Sequence, residues 1–188
     1  MENKQKISTK HLVLTALLAA LVVVGSALRI TIPIDIGGNT AFHLGNIMCA
    51  LSGILLGPWL GGLAAGLGSM IYDMFNPIYI SECWITFLSK GAYGLVTGLV
   101  ILAFKKEWNH GIAALATTAG AITYGVLYLL KTYLKSVLVK GYTVEAALLA
   151  VTGKLPATVF NAVVAVIFAP ILAVVIRRAL RESHMELT

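Results

Sequence analysis

The sequence predicts an all-α membrane protein, a compact bundle of six transmembrane helices with both termini in the cytoplasm. Of its 188 residues, 59% are hydrophobic and only 12% are charged, whereas a soluble domain usually carries about 25% charged residues. The mean hydropathy is +0.89. A span needs about 20 apolar residues, so the chain can hold at most roughly six or seven spans in a single membrane domain. These values exclude an ordinary soluble enzyme, a disordered chain and a disulfide scaffold.

The first span is predicted at about residues 11–27, directly after the basic segment Met1–Lys10. A charged start followed by an apolar run is also typical of a signal peptide, but this run is long and further spans follow it. We therefore expect a retained helix. The next segment, 29–39, contains Pro33, Asp35 and two glycines, which predict a loop outside the membrane or lining a cavity.

The second and third spans are predicted at about 41–56 and 60–75, separated by Gly57-Pro58-Trp59. A single helix over both would exceed about 30 residues and would contain a Gly-Pro break, so we expect a tight turn there. Asn76-Pro77 ends the third span.

The remaining spans are predicted at about 84–104, 111–130 and 155–176. The stretch 131–154 between the last two is moderately polar and contains four lysines. It is interpreted as a helical continuation and an amphipathic connection.

The orientation follows from the distribution of cations. Six spans place both termini on one side, which collects eight cations: Lys4, Lys6, Lys10, Lys105, Lys106, Arg177, Arg178 and Arg181. The other side has five, namely Arg29, Lys131, Lys135, Lys140 and Lys154. Eight cations against five favour cytoplasmic termini. The formal net charge of +6 is interpreted as cationic anchors in the loops rather than as a sign of nucleic-acid binding. The longer connections then lie on the outer side, where recognition is expected.

Several kinds of chemistry have no counterpart in the sequence. There is no G-x-x-x-x-G-K-[ST] phosphate loop, so the chain does not hydrolyse ATP by that route. No serine or cysteine nucleophile has a base at a recognisable spacing, and no enzyme activity is predicted. No metal or other cofactor is predicted, because the histidines and cysteines lack ligand spacing: His11, His43, His110, His184, Cys49 and Cys83.

Small residues recur at a spacing of four within the predicted spans. Gly62-x-x-x-Gly66 and Gly94-x-x-x-Gly98 each place two glycines on one helix face, which predicts close packing inside the bundle. Ala16-x-x-x-Ala20 in the first span, with Ala19 beside it, forms a smooth surface suited to contact with a different chain.

Polar residues inside the membrane are costly and therefore need a partner or a function. The main ones are Asn46, Asp73, Lys90 and Asn161. Aromatic and polar side chains expected at the same depth could complete one small-molecule pocket with them: His43, Tyr79, Glu82, Trp84, Tyr124, Tyr128 and Thr158. In this interpretation Lys90 contacts or positions a ligand, while Trp84 and Tyr128 form walls. The alternative is an internal Asp73–Lys90 ion pair that only holds helices together.

Four motifs carry a family resemblance. They are Ala16-x-x-x-Ala20, Phe42-His-Leu-Gly-Asn46, Leu55-Leu-Gly-Pro-Trp-Leu-Gly-Gly62 and Gly66-x-Gly-Ser-x-x-x-Asp73. With these motifs and six predicted spans, the chain resembles the S component of an energy-coupling factor (ECF) transporter. The resemblance covers nearly the whole chain and is most specific over residues 42–98.

The resemblance implies a multi-pass protein of the cell membrane that captures a vitamin or related micronutrient. It implies docking on a membrane T subunit with two ATPase subunits, the T subunit being contacted through the alanine motif, Ala16 and Ala20. It also places the substrate pocket between helices four to six and the outer loops. The absence of a phosphate loop agrees with this division of labour.

The substrate is left open by the sequence. Lys90 and the outer lysines suit an anionic vitamin such as pantothenate or a folate. Cobalamin, riboflavin and a pyridoxine-like compound stay open as well. The alternative function is a self-sufficient small secondary transporter or channel. Such a protein usually shows an inverted repeat or a polar stripe through the whole membrane, and the sequence shows neither.

Overall fold

The computed structural model describes residues 9–34, 38–104 and 109–182. In chain order the main elements are α1 Thr9–Ala27, β1 Arg29–Ile34, β2 Gly38–His43, α2 Gly45–Met74, α3 Cys83–Ala103, α4 His110–Leu134 and α5 Val144–Glu182. A short 3-10 helix, Ile80–Glu82, precedes α3, and a π-helical segment, Lys135–Val139, continues α4. Some residues used in the sequence argument lie outside the described ranges: Lys4, Lys6, Asp35, Lys105, Lys106 and His184.

Five helices in the described ranges are long and apolar enough to cross a membrane. They are Thr9–Ala27, Gly45–Met74, Ile80–Ala103, His110–Val139 and Val144–Glu182. The predicted class, a mostly helical membrane protein, is therefore confirmed. The count of six spans and the side of the membrane on which the termini lie stay predictions.

The chain after α1 is not the irregular loop that the turn residues predicted. β1 and β2 pair antiparallel, with Arg29 opposite His43 and Ile34 opposite Gly38. The run Arg-Ile-Thr-Ile-Pro-Ile is rich in β-branched residues, which favour an extended backbone. Because β2 extends to His43, α2 begins at Gly45 and not at the predicted residue 41. The bundle is therefore not all-α. We call the end that carries this sheet the hairpin end.

α2 reverses direction at Gly57. This residue has φ 76° and ψ −170°, a left-handed conformation that glycine adopts at little cost. Residues 45–56 and 58–74 consequently pack antiparallel, and Cys49 Sγ lies 3.7 Å from Ser69 Oγ. A straight helix would separate those two residues by about 30 Å. The tight turn predicted at Gly57-Pro58 is confirmed.

Glycines hold α2 and α3 in backbone contact. A Cβ added at Gly94 would lie 2.6 Å from the carbonyl oxygen of Gly61, and one at Gly66 would lie 2.8 Å from that of Phe87. At Gly98 it would lie 2.4 Å from the backbone of Pro58. No side chain fits into contacts this short. The prediction that these glycine motifs pack the protein's own bundle is confirmed.

α4 and α5 extend well beyond the predicted spans 111–130 and 155–176. The polar stretch 131–154 is helical except near residues 140–143, where Gly141 has φ 67°. α5 has 39 residues, which corresponds to about 58 Å, whereas the hydrocarbon core of a bilayer is about 30 Å thick. The lysines of this stretch therefore lie near the hairpin end, past the most apolar part of the helices.

Candidate functional site

A cavity of about 100 Å³ lies at the hairpin end, between β2 and the helices α2 to α5. Its lining contains four tyrosines and the cations Arg29, Lys90 and Lys131, with Asp73 as a carboxylate. Nine of the eleven residues proposed from the sequence line it: His43, Asn46, Asp73, Tyr79, Lys90, Tyr124, Tyr128, Thr158 and Asn161. We call this space the inner cavity.

Lys90 is the most deeply buried cation of the inner cavity, with 4% of its surface exposed. It is carried on the inward stripe of α3, and its Nζ donates a hydrogen bond to Asn46 Oδ1. The same Nζ lies 3.9 Å from the ring centroid of Tyr124, a cation–π contact. Neither contact supplies a negative charge. The ammonium group is therefore solvated by protein dipoles and forms no ion pair with a carboxylate of the described residues.

Asp73 is 8% exposed and lies beside the hydroxyl of Thr86. The ion pairs among the described residues are Glu82–Lys131, Glu82–Lys135 and Arg178–Glu182, so Asp73 and Lys90 do not form one. The interpretation of these two residues as a structural ion pair is therefore wrong. Asp73 and Lys90 instead line the inner cavity as two charged groups that are not paired with each other, and the other cations of the lining are Arg29 and Lys131.

Tyrosines form the aromatic wall of the inner cavity. The rings of Tyr124 and Tyr128 stack with centroids 5.8 Å apart, and Tyr93 continues the stack 6.0 Å from Tyr124. Tyr124 and Tyr128 lie one helical turn apart on α4 and so share a face. Because Lys90 Nζ lies over the Tyr124 ring, this wall combines aromatic surface with a positive charge. Tyr128 occupies the wall position that the sequence predicted.

Arg29 is a cavity residue that the sequence argument missed. Its Nη1 donates to the hydroxyl of Tyr72 at 3.0 Å, and its Nη2 donates to that of Tyr79 at 2.7 Å. Its Nε is buried and has no hydrogen-bond partner among the described residues. The two tyrosines thus fix the guanidinium and leave its Nε–H without an acceptor among the described residues. In the sequence Arg29 was counted only as a loop cation, although Tyr72 directly precedes Asp73 in the chain.

Asn161 connects α5 to β2. Its Nδ2 donates to the carbonyl oxygen of Ala41 at 2.8 Å, and its Oδ1 accepts from the backbone N–H of His43 at 3.0 Å. Both groups of the amide are engaged with the strand. This geometry makes Asn161 a residue that positions the hairpin over the inner cavity.

His43 is neutral in this arrangement. Its Nδ1 accepts a hydrogen bond from the backbone N–H of Gly45 at 3.2 Å. Burial, together with the charges on Lys90 and Arg29, holds the pKa of the imidazole well below its usual value. Because Nδ1 is an acceptor, the single ring proton is on Nε2. His43 therefore adds a neutral donor to the inner cavity.

Two proposed site residues lie elsewhere. Trp84 is 59% exposed and does not line the inner cavity. The inward stripe of α3 carries Ser89, Lys90 and Tyr93, and a residue six positions before Lys90 falls outside that stripe. Glu82 lines a second cavity of about 240 Å³, where its carboxylate binds Lys131 and Lys135. The predictions for Trp84 and Glu82 as neighbours of Lys90 are corrected accordingly.

A comparison with protein-family models identifies the family of this chain. The family model for the ECF-type riboflavin transporter, S component, matches residues 6–178. The chain belongs to this S-component family. The resemblance stated from the motifs is thus confirmed, and with it a multi-pass protein of the plasma membrane. The family and the fold are those of transporter S components and not of enzymes.

Individual relatives of this S component agree with the assignment. It is 31% identical over 179 residues to a probable tryptophan transport protein of Bacillus subtilis (strain 168), covering 95% of this chain and 97% of the relative. It is 32% identical over 114 residues to an uncharacterized protein of Pyrococcus woesei, covering 61% and 72% of the two chains.

A solved structure shares the fold. The crystal structure of the S component for biotin from an ECF-type ABC transporter superposes on this S component with a TM-score of 0.62. The match covers 92% of this chain and 94% of the other, at 17% sequence identity. At this identity the likeness shows the fold alone. S components associate with T and ATPase modules and bind a small-molecule substrate, so this chain is the substrate-binding subunit of such a transporter.

The alanine surface of this S component lies on α1. Ala16 and Ala20 are exposed, whereas Ala19 is buried beside Gly68 of α2. The surface is therefore narrower than the three alanines proposed from the sequence. Ala16 and Ala20 follow one stripe with the exposed residues Val13 and Val24, on the side of α1 away from α2.

Proposed function

We propose that this S component captures a small aromatic zwitterion, an amino acid of the tryptophan class, in the inner cavity. The observation that carries the proposal is that Asp73 and Lys90 line one cavity beside stacked tyrosines without forming an ion pair with each other. A carboxylate and an ammonium group that are not paired with each other match the two charged ends of an amino acid. A flat aromatic wall matches an indole ring.

The proposed binding mode assigns each group a contact. The ligand carboxylate accepts charge-assisted hydrogen bonds from Lys90 Nζ and from Arg29 Nε, a donor that no described residue accepts from. The ligand ammonium group donates to Asp73. The indole ring lies against Tyr124 and Tyr128.

Sequence similarity supports this substrate class over the vitamins named from the sequence. The Bacillus subtilis relative, whose printed name is a probable tryptophan transport protein, is matched over nearly its full length. The inner cavity measures about 100 Å³, which is below the usual range for small-molecule sites, about 300 to 1,000 Å³. Cavities of this size disfavour cobalamin and folates.

Riboflavin is the second candidate. The family model carries its name, and the amide groups of Asn39 and Asn46 border the inner cavity, where they could hydrogen-bond to the polar edge of a flavin ring. Riboflavin carries no charge, so in this case the separate charges of Asp73 and Lys90 would have no charged partner on the ligand.

Calorimetry on the purified protein in an uncharged detergent tests the substrate class. Tryptophan is expected to bind, while tryptamine, without the carboxylate, and indole-3-propionate, without the ammonium group, should bind at least about tenfold more weakly. The loss of one hydrogen bond to a charged group costs about 1.5 to 3 kcal/mol. Tight binding of riboflavin with no binding of tryptophan would contradict the proposal in favour of the second candidate.

We further propose six membrane spans with both termini in the cytoplasm, supported by the reversal at Gly57 and by the cation distribution. In a cysteine-free background, Thr9→Cys and Glu182→Cys should be protected from a membrane-impermeant thiol reagent in intact cells. Ile80→Cys, at the hairpin end, should react. All three positions are exposed, so protection reports the side of the membrane. Labelling at Thr9→Cys or Glu182→Cys from outside would rule out this topology.

A further inference from the structure

The second cavity differs from the inner cavity in its charge. Its lining includes four lysines and a single carboxylate, that of Glu82, and the lysines are Lys131, Lys135, Lys140 and Lys154. They come from α4, from the π-helical segment with the turn that follows it, and from α5. We call this space of about 240 Å³ the lysine cavity.

The lysines of this cavity are only partly neutralised. Glu82 binds both Lys131, at 2.6 Å, and Lys135, so one negative charge serves two cations. Lys140 and Lys154 form no ion pair with any carboxylate in the described ranges. Their Nζ atoms lie 5.5 and 5.4 Å from tyrosine ring centroids, contacts that contribute no full negative charge.

This arrangement is unfavourable without an anion. Four ammonium groups around one space repel one another, and Lys154 is half-buried, which weakens the screening of its charge by water. An anion in the lysine cavity would relieve both effects. Each lysine offers up to three N–H donors on a flexible stem, which suits an anion with several oxygen atoms better than a single planar carboxylate.

We propose that the lysine cavity is a second binding site, for a multivalent oxyanion of the phosphate type. It is distinct from the substrate site, because Lys140 and Lys154 do not line the inner cavity. It adjoins that site, because Tyr79, Tyr128 and Lys131 line both spaces. The ligand is a phosphate group, which could belong to a free ion or to the headgroup of an anionic lipid.

Binding of inorganic phosphate to the full-length protein in an uncharged detergent tests the free-ion source. Calorimetry at constant ionic strength should show saturable binding that weakens at least about tenfold in the double variant Lys140→Gln/Lys154→Gln. The matched control is Arg178→Gln/Arg181→Gln, which removes the same net charge from exposed positions at the opposite end. The control variant should bind phosphate like the unmodified protein.

A second arm tests the lipid source. The protein is placed in nanodiscs of phosphatidylcholine with a minor fraction of phosphatidylglycerol, and retained lipid is measured by native mass spectrometry. Retention of phosphatidylglycerol that is lost in the lysine variant, with no binding of free phosphate, would support the site and assign it to a headgroup.

Three results would overturn the proposal. The first is that the unmodified protein neither binds phosphate saturably nor retains phosphatidylglycerol. The second is that the lysine variant binds as well as the unmodified protein. The third is that the arginine control loses as much binding as the lysine variant, which would show attraction by net charge alone. Neither arm contains the transported substrate, so these results are independent of the proposed substrate class. Tryptophan or riboflavin binding by the lysine variant, whichever the unmodified protein binds, shows that the variant is folded.

Discussion

Replacing Lys90 by methionine is expected to weaken tryptophan binding about thirtyfold, a loss of about 2 kcal/mol. Methionine keeps most of the length of the side chain and removes its charge and donors. The unmodified ammonium group is buried and touches Asn46 and the face of Tyr124, and no carboxylate of the described residues forms an ion pair with it. A ligand carboxylate would supply a negatively charged partner, so the loss should fall on affinity.

Isothermal titration of the purified variant measures this effect. Lys10→Met is the matched control, since Lys10 lies on α1 near the end opposite the cavity and its replacement removes the same charge. The control should bind as tightly as the unmodified protein. The thermal midpoint without ligand shows whether each variant is folded. Unchanged affinity in a folded Lys90→Met protein would show that this lysine serves the bundle and not the ligand.

Replacing Ala16 or Ala20 by tryptophan is expected to abolish transport while leaving substrate binding by the isolated subunit intact. Ala16 and Ala20 are exposed on α1, and a bulky ring at either position would hold a partner helix away from the close approach that small residues allow. Neither residue lines the inner cavity. Uptake of labelled substrate by cells should therefore fall to background, while calorimetry of the isolated subunit shows normal affinity.

Co-purification with a T subunit and ATPases provides the second measurement and should fail in the same variants. Leu17→Trp is the matched control, because Leu17 is also exposed on α1 but already carries a large side chain. Loss of substrate binding in Ala16→Trp would show that the surface packs within the subunit. Full transport by the variants would show that the T subunit docks on another surface of the chain.

Depth within the membrane allowed nine residues of the inner cavity lining to be predicted from the sequence. Lys90, Asp73 and Asn46 are polar residues in apolar runs, and such residues converge because none can face lipid cheaply. Hydropathy gives only the position of each residue along its helix. It does not give the side of the helix to which a side chain points, so the sequence could not show that Trp84 lies on the exposed side of α3.

The sheet and its consequences could not be predicted in the same way. Arg29 and Tyr72 are 43 residues apart, and only the pairing of β1 with β2 and the packing of α1 on α2 bring them together. The turn residues between α1 and α2 fit a loop as well as a hairpin. Residues 131–154, by contrast, were interpreted as a helical continuation, and α4, the π-helical segment and α5 do extend through most of this stretch.

The glycine contacts between α2 and α3 determine which parts of this S component can move. Helices that touch through their backbones cannot slide by a residue, because a neighbouring position such as Leu95 would collide with the facing helix. α2 and α3 therefore form a stiff frame. The same reasoning adds α1 to the frame, because a Cβ at Gly68 would lie 2.4 Å from the carbonyl oxygen of Ala19. Displacement on ligand binding is therefore expected in the hairpin, α4 and α5. α1 ends at Ala27 and β1 begins at Arg29, so the strand that carries this arginine starts directly from a fixed helix.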